Sequence, residues 1–252
     1  MLVAYDGTRF KGFAAQPGQR TVAGELAAAI GRVVQHPVEI TCAGRTDRGV
    51  HAWGQVIHVD VRPPTPESPA DDGLDVEALA RSCRKQLGPE IVVRAAARAD
   101  AGFDARRSAV SRRYRYTIVN RAVPDPFLAR FAWHVEQPLD LRAMELACDP
   151  FYGEHDFSSF CRRPAPEATL VRNVRELRWC DLGDGVLRFE IAANAFCHQM
   201  VRSIVGTLVE VGLGKKKAGD VSRIIRAEDR AAAGQLAPAQ GLCLWAVNYS
   251  GD

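Results

Sequence analysis

Apolar positions along this chain recur with two periods, about 2 and about 3.6 residues, and the switches between them mark its elements. Leu2-Val3-Ala4-Tyr5 reads as a strand ended by the turn signal Asp6-Gly7. It opens abruptly, as if its first residues were missing. Thr21 fits an N-cap, before a helix whose apolar face is Val22, Leu26, Ala29, Ile30 and Val33. Glu39 to Cys42 and Gln55 to Val61 read as strands, and Pro63 to Pro69 as a proline-rich loop. Asp75 caps a second helix with Val76, Leu79, Ala80, Cys83 and Leu87 on one side, and Ile91 to Ala95 is a further strand.

The second half continues the alternation without an obvious sequence repeat. Arg112 to Val119 predicts a strand with Tyr114, Tyr116 and Ile118 on one face and Arg113, Arg115 and Thr117 on the other. A short helix follows over Asp140 to Cys148. Strands over Val174 to Cys180 and Val186 to Ala192 flank Leu182-Gly183-Asp184-Gly185, an Asp-Gly type of hairpin connection. A long apolar helix is expected from about Ala195 to Val211, stopped by Gly212 and Gly214. Another spans Val221 to Ala227, and a closing strand Leu242 to Tyr249. Hairpins mixed with long-connected helices imply an α+β protein with a mixed, mostly antiparallel sheet. A weak midpoint near Ala105 suggests two halves, 1–105 and 106–252.

Composition narrows the function classes. At 252 residues and 47% hydrophobic, the chain can bury a sizeable core. The formal charge of +3 is only mildly basic, but arginine outnumbers lysine several-fold. Arginine suits bidentate phosphate contact and stacking on bases, although a GC-rich coding sequence explains the excess equally well. Seven scattered cysteines contain no C-x-x-C pair, which argues against a zinc ribbon or a thioredoxin-like site. Free thiols without a signal peptide point to a reducing cytoplasm. The longest apolar run, Met200 to Leu213, is interrupted by Arg202 and Glu210 and is too short to span a bilayer. There is no Walker-type loop, no G-x-G-x-x-G and no G-x-S-x-G elbow.

Three residues invite a chemical reading. Asp47 lies in Gly44-Arg45-Thr46-Asp47-Arg48-Gly49, between two expected strands. Turn chemistry alone accounts for the Asp and Gly residues. The two arginines are not needed for a turn, and they would hold a carboxylate ionised and ready to act as a nucleophile or base. Arg202 sits inside an apolar helix, where it must snorkel to the surface or meet a carboxylate such as Asp47. Tyr114, alternating with arginines, is either a core tyrosine or part of a base-stacking strand. Cys197-His198, and His155 with Cys161, lack metal-ligand spacing. His51 and His58 fit a surface, and Lys215-Lys216-Lys217 is a basic patch at a helix C-terminus.

Together these segments resemble the TruA-type tRNA pseudouridine synthases over almost the whole chain. The strongest piece is Ala43-Gly44-Arg45-Thr46-Asp47-Arg48-Gly49-Val50-His51-Ala52-Trp53-Gly54-Gln55-Val56. In the same order come Ala4 to Thr8 with Phe10 and Gly12, Phe103 to Arg106 leading to Arg113-Tyr114-Arg115-Tyr116, Gly153 to Phe157, Met200 to Leu208, and Gly241 to Leu244. Family members usually carry tryptophan and glutamine where this chain has Phe13 and Ala14, and a small residue in place of Arg48.

The resemblance implies the pseudouridine synthase fold, with two α/β halves around the sheet and a central RNA cleft, and a homodimer. It implies isomerisation of uridine to pseudouridine in the anticodon stem-loop of tRNA, at positions 38, 39 and 40, with no metal or organic cofactor. Asp47 matches the catalytic aspartate and nucleophile, Tyr114 the tyrosine that packs on the target base, and Arg202 the arginine paired with the aspartate. Arg45 matches an arginine that helps hold the flipped nucleotide, and either Leu242 or Leu244 supplies an apolar floor. Two other readings compete. A catalytically silent RNA-binding protein of the same fold would need no carboxylate–arginine pair, and an aspartate-nucleophile hydrolase would want a metal-binding acidic cluster.

Overall fold

A computed structural model of the protein describes residues 1–61, 73–162 and 168–250. The proline-rich loop expected over 63–69 lies outside the described residues. The chain divides into two compact units. The first runs from Met1 to Ala109 and regains the chain from Leu244 onward; the second is Val110–Cys243.

In the first unit, β1 (Leu2–Tyr5), α1 (Val22–Val34), β2 (Thr41–Cys42), β3 (His51–His58), α2 (Val76–Leu87) and β4 (Ile91–Ala95) follow in sequence. β1 lies between β4 and β3, antiparallel to both. Both helices begin where the caps were expected. The Thr21 hydroxyl accepts from Gly24 N at 3.2 Å, and the Asp75 carboxylate from Ala78 N at 2.9 Å. Such a cap contributes about 1 kcal/mol by satisfying a helix N–H that has no partner within the helix. Val22, Leu26, Ala29 and Ile30 of α1, with Leu79, Ala80 and Cys83 of α2, are buried; Val33 is half-buried.

β2 is shorter than expected and β3 begins earlier, at His51 rather than Gln55. Pairing explains both shifts. β3 is extended at its start by Tyr5 opposite Ala52, and it ends at His58, whose partner is Thr41. Residues 39 and 40 therefore have no length of β3 beside them. His51, which looked like a surface residue, is buried at 5% exposure, and its Nδ1 accepts from Gly7 N at 3.0 Å.

The second unit holds β5 (Ala109–Asn120, from Val110), β6 (Trp133–Val135), α3 (Leu141–Leu146), β7 (Gly153–Asp156), β8 (Val171–Asp181), β9 (Val186–Ala193), α4 (Met200–Gly212) and α5 (Asp220–Ala227). β10 (Leu242–Tyr249) then leads back to the first unit, where it neighbours β3. The strand order within this unit is β5-β9-β8-β7 with antiparallel pairs, while β6 runs parallel to β5. The α+β class and the mixed, mostly antiparallel pairing agree with the sequence pattern. The β8–β9 turn has positive φ at Gly183, Asp184 and Gly185, as its Asp-Gly chemistry requires.

α4 begins at Met200, five residues later than its apolar pattern suggested. Gln199 takes a left-handed conformation at φ 67 and breaks the helical path before Met200. The core of the unit includes Phe151, Phe157 and Phe160, all fully buried and in mutual ring contact. On β5, Tyr114, Tyr116 and Ile118 are buried as the alternation predicts.

The opposite face of β5 carries a charge cluster. Glu190 of β9 stands directly across from Arg115 on β5 and from Arg178 on β8. Its side chain is 5% exposed, 2.7 Å from Arg115 Nε and 2.6 Å from Arg178 Nη2. Opposite charges facing one another across strands stabilise a sheet. Burial pushes the Glu190 pKa up, but the Arg178 hydrogen bond and the Arg115 charge outweigh it, and the carboxyl titrates below its ordinary 4.5. A depressed folded-state pKa adds stability above pH 4.5, and this is lost as pH falls through the folded value. Urea unfolding of Glu190→Gln should therefore show its largest deficit against wild type near neutral pH, with the gap shrinking below pH 4.5. A gap independent of pH would show that the carboxylate's charge is not what stabilises.

Candidate active site

Asp47 belongs to the first unit, on the loop of residues 43–50 between β2 and β3. Main-chain and side-chain bonds fix this loop from several directions. Phe13 N donates to Thr46 O at 3.0 Å, and the Tyr5 and Thr46 hydroxyls are 2.8 Å apart. The Gln55 amide grips Gly44 at both ends, donating to its carbonyl at 2.6 Å and accepting from its N–H at 3.3 Å. Val50 N closes the turn onto Asp47 O at 3.1 Å, with Gly49 at φ 79. Gly12 lies at φ 105, and a Cβ there would stand 3.0 Å from Thr46 O. Only glycine allows both that backbone angle and that approach.

Thr46 is thus buried, Asp47 half-buried, and Arg45 and Arg48 exposed. The turn holds a carboxylate partly out of water while its two flanking guanidinium groups face solvent. Nearby Cys42 sits where its thiolate is disfavoured. Burial pushes its thiol up to about 11, against the opposing pull of Arg45 and Arg106. Phe13, one of the departures from the family pattern, is 1% exposed and packs 6.1 Å from the Tyr5 ring. It supports the loop through its backbone N–H, which is independent of side-chain identity.

Tyr114 and Arg202 lie in the second unit. Tyr114, on β5, is 7% exposed and meets Phe196 edge-to-face at 4.9 Å. Phe196 lies in the non-helical lead-in to α4. Arg202 is the half-buried exception in the first turns of α4, where Met200, Val201, Ser203, Ile204 and Val205 are all buried. Its Nε donates to Ala237 O at 2.8 Å, and Ala237 N donates back to Arg202 O at 3.2 Å.

The segment 234–238 lies along α4 so closely that a Cβ on Gly206 would stand 1.7 Å from Gln235 O. Gly234 N donates to Thr207 Oγ1 at 2.9 Å, and Gln235 N to Glu210 Oε1 at 2.8 Å. Arg202 is therefore fixed by main chain rather than left to snorkel.

Leu242 and Leu244 are both buried, at 6% and 0% exposure, but fall on either side of the division between the units. Arg45 and Asp47 share one loop of the first unit; Tyr114 and Arg202 sit on a strand and a helix of the second. Among the described residues no group of three or more His, Cys, Asp or Glu side chains could hold a metal ion. No helix among them is long and apolar enough to cross a membrane. The supporting residues Tyr5, Gln55, Tyr116 and Ala237 are invisible to motif reasoning about charge, because none of them is itself charged. Tyr5, Gln55 and Tyr116 fall within segments that carry the resemblance, whereas Ala237 falls in none of them.

A family model described as tRNA pseudouridine synthase matches residues 1–104 and 147–250. tRNA pseudouridine synthase A of Brevibacillus brevis is 43% identical over 248 residues, covering 98% of both chains. The protein of that name from Leifsonia xyli subsp. xyli is 42% identical over 263 residues, covering 99% of this chain and 91% of its own. That of Bacillus subtilis is 40% identical over 249 residues, 98% of this chain and 97% of its own. The chain belongs to the tRNA pseudouridine synthase family.

The packing of Gly12 against the Asp47 loop can be probed directly. Gly12→Ala places a side chain at φ 105 and 3.0 Å from Thr46 O. It is expected to destabilise the protein by about 1–2 kcal/mol in denaturant unfolding. An unchanged midpoint would mean that the loop gives way freely.

Proposed function

We propose that this protein isomerises uridine to pseudouridine in the anticodon stem-loop of tRNA, with Asp47 as the nucleophile. Family membership supports the reaction. The observation that carries the assignment of Asp47 is its loop, where a half-buried carboxylate rides on a turn braced by Phe13, Tyr5 and Gln55. A nucleophile held in one geometry before substrate arrives spends no binding energy on being ordered.

The isomerisation breaks the bond from uracil N1 to the ribose C1′ and makes one from C5 to C1′. C5 loses a proton and N1 gains one, so no atom enters or leaves overall. Such a reaction asks for a group that captures one fragment while the base turns, a cation that keeps that group anionic, and a surface that keeps water out. In this reading Asp47 is the capturing group and Arg202 the cation that orients it. Tyr114 packs on the extruded base, repaying part of the unstacking cost, and Leu242 or Leu244 floors the site. Arg45, exposed beside Asp47, contacts the phosphates of the flipped nucleotide. The same reading extends to a homodimer working in the cytoplasm, in keeping with seven cysteines that are all free thiols.

Asp47→Asn preserves the shape of the side chain and removes its charge. It is expected to lower pseudouridine formation on unmodified tRNA by at least about a thousandfold while tRNA affinity changes less than about threefold. Near-normal turnover would refute Asp47 as nucleophile, and pseudouridines mapped outside the anticodon arm would refute the substrate site. Arg202→Ala should lose activity to a similar extent and also lower the melting temperature, because it leaves Ala237 O without its donor. Full activity at an unchanged melting temperature would exclude Arg202 from the chemistry.

A further inference from the structure

Two consecutive carbonyls in the second unit point in ways that bear on Arg202. Ala237 O accepts from Arg202 Nε at 2.8 Å, and Pro238 O accepts from the Tyr116 hydroxyl at 2.7 Å. Tyr116 is fully buried on β5, two residues after Tyr114 on the same face. Its ring lies flush against the backbone at Gly241, where a Cβ would stand 2.5 Å from Tyr116 Cζ. The segment 234–241 is therefore held on one side by α4, through Gly206, Thr207 and Glu210, and on the other by the Tyr116 ring and hydroxyl. Pro238 stiffens it further, at φ −54, and restricts Ala237 before it.

We propose that Tyr116 is a positioning residue for Arg202, acting through the Ala237–Pro238 peptide; the inference rests on the role given to Arg202 above. With Nε committed to Ala237 O, the guanidinium cannot turn about its last side-chain bond. A carboxylate must then be met through the terminal Nη atoms, the end-on geometry that allows two parallel hydrogen bonds. The position of Ala237 O is set in turn by where Tyr116 pins the next carbonyl. Tyr116 can do this only as a neutral phenol. Burial drives its pKa far above the usual tyrosine range, partly opposed by the Arg202 charge, so the hydroxyl remains a donor throughout the working pH range.

The test is a double-mutant cycle on tRNA turnover. Tyr116→Phe keeps the ring against Gly241 and deletes the hydroxyl. It is expected to reduce kcat about tenfold with KM for tRNA within about twofold. Arg202→Lys replaces the planar fork by an ammonium with freely rotating donors, which Ala237 O cannot orient, so adding Tyr116→Phe to it should reduce kcat no further. An equal loss from Tyr116→Phe in both backgrounds would overturn the proposal, as would a Tyr116→Phe enzyme with wild-type kcat and only a lowered melting temperature. Wild-type turnover by Arg202→Lys alone would instead refute the role of Arg202, and the proposal with it. Should Tyr116→Phe fail to fold, Pro238→Gly takes its place with the same readouts, because it leaves both carbonyls and the phenol present and frees only the segment.

Discussion

A guanidinium that leaves water halfway must be given hydrogen-bond acceptors by the protein, and it must be given them in a fixed place. Arg202 is in that position on α4, where its neighbours on the helix are buried apolar or small residues. The carbonyls of its own helix point along the axis toward the next turn, away from a side chain that projects outward. The acceptor therefore comes from another stretch of backbone, residues 234–241. Much of the second unit is arranged to bring that stretch within reach: Gly206 lets it approach, Thr207 and Glu210 bind its N–H groups, and Tyr116 holds its far side.

The first unit solves a similar problem for a carboxylate. Asp47 is carried by a turn whose own polar groups are satisfied by Phe13 N, Gln55 and Tyr5. Each such bond is worth only about 1 kcal/mol net, but an unmet one in a buried place costs as much or more. The loop is consequently held by many modest constraints instead of one strong one. Both units place their charged groups on rigid supports built from hydrogen bonds and glycine-only approaches. A charged group held rigidly in advance needs no reorganisation when it acts.

Most elements were legible from periodicity, because caps and alternation are local. Thr21, Asp75 and Asp140 each cap the helix that follows them, and the burial of Tyr114, Tyr116 and Ile118 follows the period of a strand. The misplacements of β2 and β3 have non-local causes, and that of α4 a backbone one. β3 starts early because β1 is there to pair with it, β2 is cut short where its partner ends, and α4 starts late because Gln199 turns left-handed. His51 looked exposed by its polarity, yet it is buried because Gly7 folds over it.

At the site itself, residue order is enough to name the chemical groups and the local turn. Asp47 between arginines and glycines, Tyr114 on an alternating strand and Arg202 in an apolar helix can all be named from residue order, since each is defined by its near neighbours. Resemblance to a known family then attached an activity to them. Tertiary structure alone decided how each group is held. The donors and acceptors that do this, from Phe13 to Thr46, Gln55 to Gly44, Arg202 to Ala237 and Tyr116 to Pro238, join residues between 11 and 122 positions apart. They are mostly main-chain atoms common to every residue type. Side-chain pattern carries no trace of such bonds, because what selects them is distance in the folded chain.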